Sequence, residues 1–258
     1  MPKNGRPGTE LQKYTELRSR ELLQEFNLGQ GLLKATALVS EQSLRFFKQR
    51  ITAGKIRIAG QNHLTLYGAE RQRAISLKGL AGSTKGLSFS RLTKKRRSSR
   101  VFSKGKIELS QVAYLLENSL GRSISKAGNL DCVDVSLWIR NVNGLKNGFY
   151  RYDCLNKCLL SSKPSTKIRW SAEYMPANTS VLLCLRARPE LLIEAYGARG
   201  WRFLWISLGS SWAHFYLAAA DLKLGCCGLG GMPELLGLDV SEKRNVQPAA
   251  FMVFGKIN

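Results

Sequence analysis

At 258 residues and 44% hydrophobic composition, the chain can bury a substantial core, which excludes disorder along its whole length. Lysine and arginine outnumber aspartate and glutamate by 40 to 18, a formal charge of +22, so the expected partners are anionic: phosphates, acidic peptides, anionic lipid or nucleic acid. The amino terminus MPKNGRPGTELQKY lacks the apolar run of a secretory signal, which makes the cytoplasm the expected compartment and the six cysteines expected thiols.

The positive charge is uneven. Residues 1–106 hold 23 bases and 6 acids (+17), residues 107–258 hold 17 and 12 (+5), and the stretch from Arg71 to Ile107 carries twelve bases and no acid. The chain is therefore expected to divide into a basic extension, 1–95, and a second unit, 96–258. In the extension, Leu17, Leu22, Leu23, Phe26, Leu32, Leu33, Leu38, Leu44, Phe46 and Phe47 fit short amphipathic helices between Glu10 and Arg50. KIRIAG (55–60) and HLTLYG (63–68) alternate like a strand pair, and the Gly, Ser and Lys-rich residues 69–95 predict a loop without regular structure.

The motif KKRRSSRVFSKG (94–105) has two uses. In an extended backbone Arg96, Ser98 and Arg100 project from one side and Arg97 from the other. Guanidinium forks and a serine hydroxyl are donors that hold a phosphate. The same letters describe a solvated basic arm, and direct nucleic-acid binding stays open on charge alone, because no recognition module accompanies it.

Downstream, ELSQVAYLLENSLG places Leu109, Val112, Leu115, Leu116 and Leu120 at helical spacing and stops at Gly121. CVDVSLWIRNV (132–142) and GFYRYDC (148–154) alternate as strands, joined by a turn containing Asn143-Gly144 and Asn147-Gly148. SVLLCLRA (180–187) suits a strand covered on both faces. Helices follow over 189–196 and 199–224, and PAAFMVFGKI (248–257) closes the chain as a strand. Residues 203–220 lack any formal charge and reach membrane-spanning length; three serines, a glycine and His214 favour a helix buried on nearly all sides of a core. Helices and strands interleave without a regular βαβ repeat, so the expected class is α+β. The cysteines show no zinc spacing, and no metal site is expected.

RRSSRVF (96–102), YGARGWRFLWISLG (196–209), LGCCGLGGMPELLGLD (224–239) and the ending AFMVFGKIN resemble, in that order, the nitroreductase family. Within it they resemble the SagB and McbC-type dehydrogenases, which oxidise azoline rings in thiazole/oxazole-modified peptides. The resemblance covers about residues 96–258. It implies a nitroreductase-like fold with a central, mostly antiparallel sheet flanked by helices, FMN as cofactor, and a homodimer with flavin at the subunit interface. It also implies a complex with a YcaO-type cyclodehydratase, E1-like peptide-binding subunits and a precursor peptide.

Site residues follow from the same resemblance. Arg96, Arg97, Ser98 and Arg100 would hold the FMN phosphate, and Gly230 and Gly231 would let backbone approach the ring. The family's flavin loop falls on RSISKAGNL (122–130), where Arg122 and Gly128 remain. Tyr196 would handle the proton, and Arg199 and Arg202 would face substrate or a partner. The chain departs from the pattern where the Lys-Tyr pair falls on Ala195-Tyr196: the lysine is absent, so either Tyr196 works alone with the flavin, another base such as His214 or Lys126 reaches in, or the chemistry is lost. The polar Gly-His and Gln-Asn positions fall on Gly209-Ser210 and Ala213-His214. The alternative reading is a degenerate member that keeps the fold as a scaffold or peptide-docking subunit without redox activity.

Overall fold

The structure, a computed structural model, describes residues 74–82, 86–121, 124–162, 175–229 and 247–258; the helices and strand pair expected within residues 10–68 lie outside them. In chain order the elements are β1 (Ala74–Ser76), α1 (Phe89–Lys95), β2 (Ile107–Glu108), α2 (Leu109–Ser119), β3 (Val133–Ile139), β4 (Val142–Asn143), β5 (Gly148–Asp153), β6 (Cys158–Ser162), β7 (Val181–Ala187), α3 (Pro189–Tyr196), α4 (Gly200–Asp221), β8 (Leu224–Leu229) and β9 (Gln247–Lys256). Seven strands make one sheet in the order β1-β6-β5-β3-β7-β9-β8, each neighbouring pair antiparallel, while β2 and β4 form a small parallel pair.

The apolar run of β7 has a direct structural reason. Alternate side chains leave a strand on opposite faces. Leu183 and Leu185 join Val135 and Leu137 of β3 and Phe254 of β9 in the core shared with α2, α3 and α4, whereas Leu182 and Cys184 join Phe251, Val253 and Cys227 on the other face. Both faces are covered, so every β7 residue is buried. The helix α2 starts at a capping box in which Gln111 Oε1 accepts the Glu108 N–H at 3.0 Å, and its apolar side packs on α4. Pro189 opens α3, and Gly200 lets α4 begin hard against it: a Cβ at 200 would lie 2.5 Å from the Leu192 carbonyl.

Three expectations need correction. Residues 69–95 are not an irregular loop throughout, since they contain edge strand β1, paired with β6, and helix α1, whose approach is tied to α4 by the Leu87 N–H donating to Asp221 Oδ1 at 3.0 Å. The helix expected over 199–224 ends at Asp221, and Leu224–Leu229 form strand β8, where Gly225 and Gly228 serve close packing. Nor is α4 enclosed on nearly all sides: Trp205 and Ile206 are 56% and 60% exposed, and with Arg202, Gly209 and Ala213 at three- and four-residue spacing they form one solvent-facing stripe. Among the described residues no helix is long and apolar enough to cross a membrane. The six cysteines are free thiols, five of them buried.

Gly225 and Gly255 stand opposite each other on β8 and β9, and the nearly buried ring of Phe102 lies on that pair where any side chain would collide with it. The Ser103 N–H donates to the Lys256 carbonyl at 2.7 Å, and Asn178 Nδ2 donates to the Phe102 carbonyl at 3.0 Å. The cationic segment is thereby pinned at its C-terminal end. Gly255→Ala is expected to displace Phe102 at an overpacking cost of about 1–3 kcal/mol, read as a lower urea midpoint with an unchanged slope.

Candidate functional site

Residues 96–100 run extended beside β8. The Ser99 N–H donates to the Cys226 carbonyl at 2.8 Å, and the Arg96 N–H caps α1 by donating to the Leu92 carbonyl at 2.8 Å. Of the three residues expected to share one side, Arg96 and Ser98 both meet Tyr216. Arg96 places its guanidinium carbon 5.3 Å from the centre of the Tyr216 ring, a cation–π distance, and Ser98 Oγ lies 3.1 Å from the Tyr216 hydroxyl. Arg97 and Ser99 line a cleft with Lys95, Lys223 and Tyr216. Arg100 is exposed.

Tyr216, on α4, is the organising residue that sequence reasoning missed. Its hydroxyl oxygen also accepts the Gly228 N–H at 2.7 Å, so one phenol joins the cationic segment to the end of β8. Trp212, one helical turn earlier, presses its indole on Gly228 where a methyl group would overlap it. A signal existed in the sequence: a tyrosine in an apolar helix needs a partner for its hydroxyl. It read as core because its partners lie 118 residues upstream and twelve downstream.

A second group lies at the other end of α4. Tyr196, at the end of α3, packs edge-on against Phe203 with ring centres 4.7 Å apart. Its hydroxyl abuts Gly128: a Cβ there would lie 2.5 Å from the oxygen, and Gly128 has φ +60, which favours glycine. Two residues singled out separately in the sequence therefore meet. Burial pushes the Tyr196 hydroxyl above its ordinary value. Lys126 is held in an ion pair with Asp131, His214 Nδ1 lies 2.9 Å from the Ser210 carbonyl on its own helix, and Ala195 is buried in the core. Arg199 is half-buried beside the start of α4, and Arg202 sits on the exposed stripe. Arg122, Gly230 and Gly231 lie outside the described residues.

The two groups are not one site within a chain. Phe203 and Tyr216 are thirteen residues apart on α4, about 20 Å along its axis at 1.5 Å per residue.

Comparison with known proteins fits this architecture. The profile of the Nitroreductase family matches residues 93–256. A protein of Methanocaldococcus jannaschii assigned as a nitroreductase is 24% identical over 148 residues, 53% of this chain and 75% of that one. Among solved structures, a protein from Ralstonia eutropha assigned as a nitroreductase superposes with a TM-score of 0.59 at 20% identity, covering 72% of this chain and 90% of that one. One from Anabaena variabilis gives 0.58 at 20% identity; the match covers 72% of this chain but 42% of that longer one. A chain of the E. coli microcin synthetase McbBCD complex with truncated pro-MccB17 bound gives 0.50 at 18% identity, covering 88% of this chain and 97% of that one. At these identities the solved structures establish the fold.

Buried thiols and phenols also set an alkaline limit. Burial raises the Cys154 thiol from 9.0 to about 11, and it likewise raises Cys132, Cys226, Tyr152 and Tyr196. Below about pH 9 these groups are protonated in both states and contribute nothing. Between 9 and 11 the unfolded chain releases the Cys154 proton while the folded one keeps it, so stability falls as pH rises, by up to roughly 2–3 kcal/mol from this group. Urea titrations across that range are expected to show the fall, and Cys154→Ala to flatten part of it.

Proposed function

Since this chain belongs to the nitroreductase family, we propose that it is an FMN-dependent dehydrogenase that oxidises azoline rings of a ribosomally made peptide to thiazole or oxazole rings. The observation that carries the reading is the extended run Arg96–Arg100, fixed along β8 by backbone pairing and by Tyr216, with Gly228 at its end. Its chemistry fits a phosphate dianion: Arg97, Arg100 and Ser98 are exposed donors, the segment contains no acid, and stacking on Tyr216 orients Arg96 without consuming its N–H groups. Ser98 can accept from the Tyr216 hydroxyl and still donate outward. In this reading Arg96, Ser98 and Arg100 hold the phosphate with Arg97 beside them, and Arg122, Gly128, Gly230 and Gly231 serve the rest of the cofactor.

FMN, when bound, supplies the acceptor for the hydride that leaves the ring. The protein must deal with the proton that leaves with it. A phenol is neutral at physiological pH at its ordinary pKa of about 10, and burial moves Tyr196 further that way, so it holds and relays a proton rather than acting as a tyrosinate base. The separation of Tyr196 from the arginine segment favours a composite site: two copies pairing their exposed α4 stripes antiparallel would carry one chain's Tyr196 towards the other's Arg96–Arg100 run. Arg199 and Arg202 then face the substrate or the subunit boundary. A cyclodehydratase and an E1-like peptide-binding subunit complete the proposed complex, supported by the similarity to a chain of McbBCD.

One observation favours a second reading. Ala195 stands, buried, where the resembling dehydrogenases carry lysine, which suits a scaffold or peptide-docking subunit without redox activity. FMN binding separates the two. Purified protein is expected to quench flavin fluorescence on titration, and Arg100→Ala to weaken binding about tenfold to a hundredfold, the loss of one charge-assisted bond. Absence of any flavin binding would leave the scaffold.

The composite site has its own test. Light scattering is expected to give twice the 28.8 kDa chain mass. Tyr196→Phe and Arg100→Ala proteins, each impaired in anaerobic flavin bleaching by an azoline peptide, are expected to recover part of the native rate when unfolded and refolded together, since a mixed dimer holds one intact site. No recovery from a mixture that forms mixed dimers would put both residues in the same copy's site.

A further inference from the structure

The cleft lined by Arg97 and Ser99 adjoins the segment of the flavin reading, sharing Arg97 and Tyr216 with it, while Lys95, Ser99 and Lys223 have no role there. It has a volume of about 230 Å3 and lies between α1, the cationic segment and the end of α4. Lys95 and Arg97 from one stretch and Lys223 from another, all exposed, bring three cations to it, and Ser99 adds a hydroxyl. Its buried lining is apolar and small, formed by Ala219, Leu224 and Cys226. No acid lines it, and Asp221 is already engaged by the Leu87 N–H and the Tyr114 hydroxyl, at 3.0 and 2.6 Å. Lys223 is held at φ +54, a left-handed conformation that glycine adopts more readily, so a cation stands here at a backbone cost.

We propose that this cleft binds an acidic–apolar segment of a peptide. A carboxylate side chain meets Arg97, Lys95 and Lys223, and the neighbouring apolar side chain covers Ala219 and Leu224. A bare phosphate would answer the cations and leave the apolar lining in water. A nucleic-acid strand would want an aromatic face for its bases; Tyr216 is the cleft's one aromatic residue, and its ring lies under Arg96 with its hydroxyl committed to Ser98 and Gly228. The choice of a peptide rests on the reading of the chain as one that handles a peptide, while Lys95, Ser99 and Lys223 are independent of flavin.

The test uses the full-length protein and a fluorescein-labelled peptide alternating Glu with Leu, followed by fluorescence anisotropy, with a Gln-for-Glu counterpart as control. The Glu peptide is expected to bind about tenfold tighter at low salt, the difference shrinking at high salt. Lys223→Gly, which removes the cation and suits the left-handed backbone, is expected to weaken the peptide about threefold to tenfold and to leave FMN affinity unchanged, with Lys223→Arg restoring the peptide. Equal binding of the Gln peptide, undiminished binding by Lys223→Gly, displacement by inorganic phosphate or preference for a single-stranded oligonucleotide would each overturn the proposal. A parallel loss of FMN and peptide in Lys223→Gly would also overturn it, by making the cleft part of the flavin site. Native protein that binds the Glu peptide but no FMN would sink the dehydrogenase reading and leave the cleft standing.

Discussion

An acid-free run of cations has to be held in one place against its own repulsion, and the structure solves this with neutral contacts. Phe102 supplies most of the hold, its ring covering two glycines that face each other across β8 and β9. An aromatic side chain can bury 150–250 Å2, about 4–6 kcal/mol at 25 cal/mol per Å2 before entropy is counted. Backbone pairing at Ser99 and Ser103 then fixes which side chains point which way. Because none of these contacts uses a charge, the arginines keep their hydrogen-bonding capacity for an anion. An arrangement that tethered them with carboxylates would have lost it.

The second constraint is the length of α4. One helix supplies Tyr216 to the cationic segment and Phe203 to the Tyr196 group, so it both builds the two clusters and keeps them apart. Its buried face is fixed by the sheet and α2. Its outer face carries Trp205 and Ile206 to solvent, apolar area that a second surface would bury with benefit. Separation of the clusters and exposure of the face are two consequences of one geometry.

Legibility in the sequence followed the strength of the local pattern. β7, β9 and α3 could be read almost to the residue, since a continuous apolar run, a terminal apolar run and a proline-opened helix each have few alternatives. β1 and α1 were hidden because three and seven residues among lysines and glycines carry no periodicity; their order comes from β6 and from Asp221, both remote in sequence. β8 was hidden by its glycines, which weaken strand propensity locally but are required where Phe102 and Trp212 close on the backbone. The placing of Arg96 and Ser98 on one side was legible. That both meet Tyr216 was not, because nothing local announces it.

Burial governs both Ala195 and the tyrosine that follows it. Ala195 lies in the core with Leu192 and Leu204 close in the same cluster, so a lysine there would have been desolvated, its pKa driven down towards that of a working base. Its charged form would also have held the neighbouring phenol's pKa down. With alanine in place, burial is what raises Tyr196, and a phenol so shifted keeps its proton through the physiological range. Lys126 does not restore the balance, because its charge is committed to Asp131 and its influence falls on Cys132 and Cys154 rather than on Tyr196. Among the described residues the two other candidate bases are turned to partners of their own, Lys126 to Asp131 and His214 to the Ser210 carbonyl.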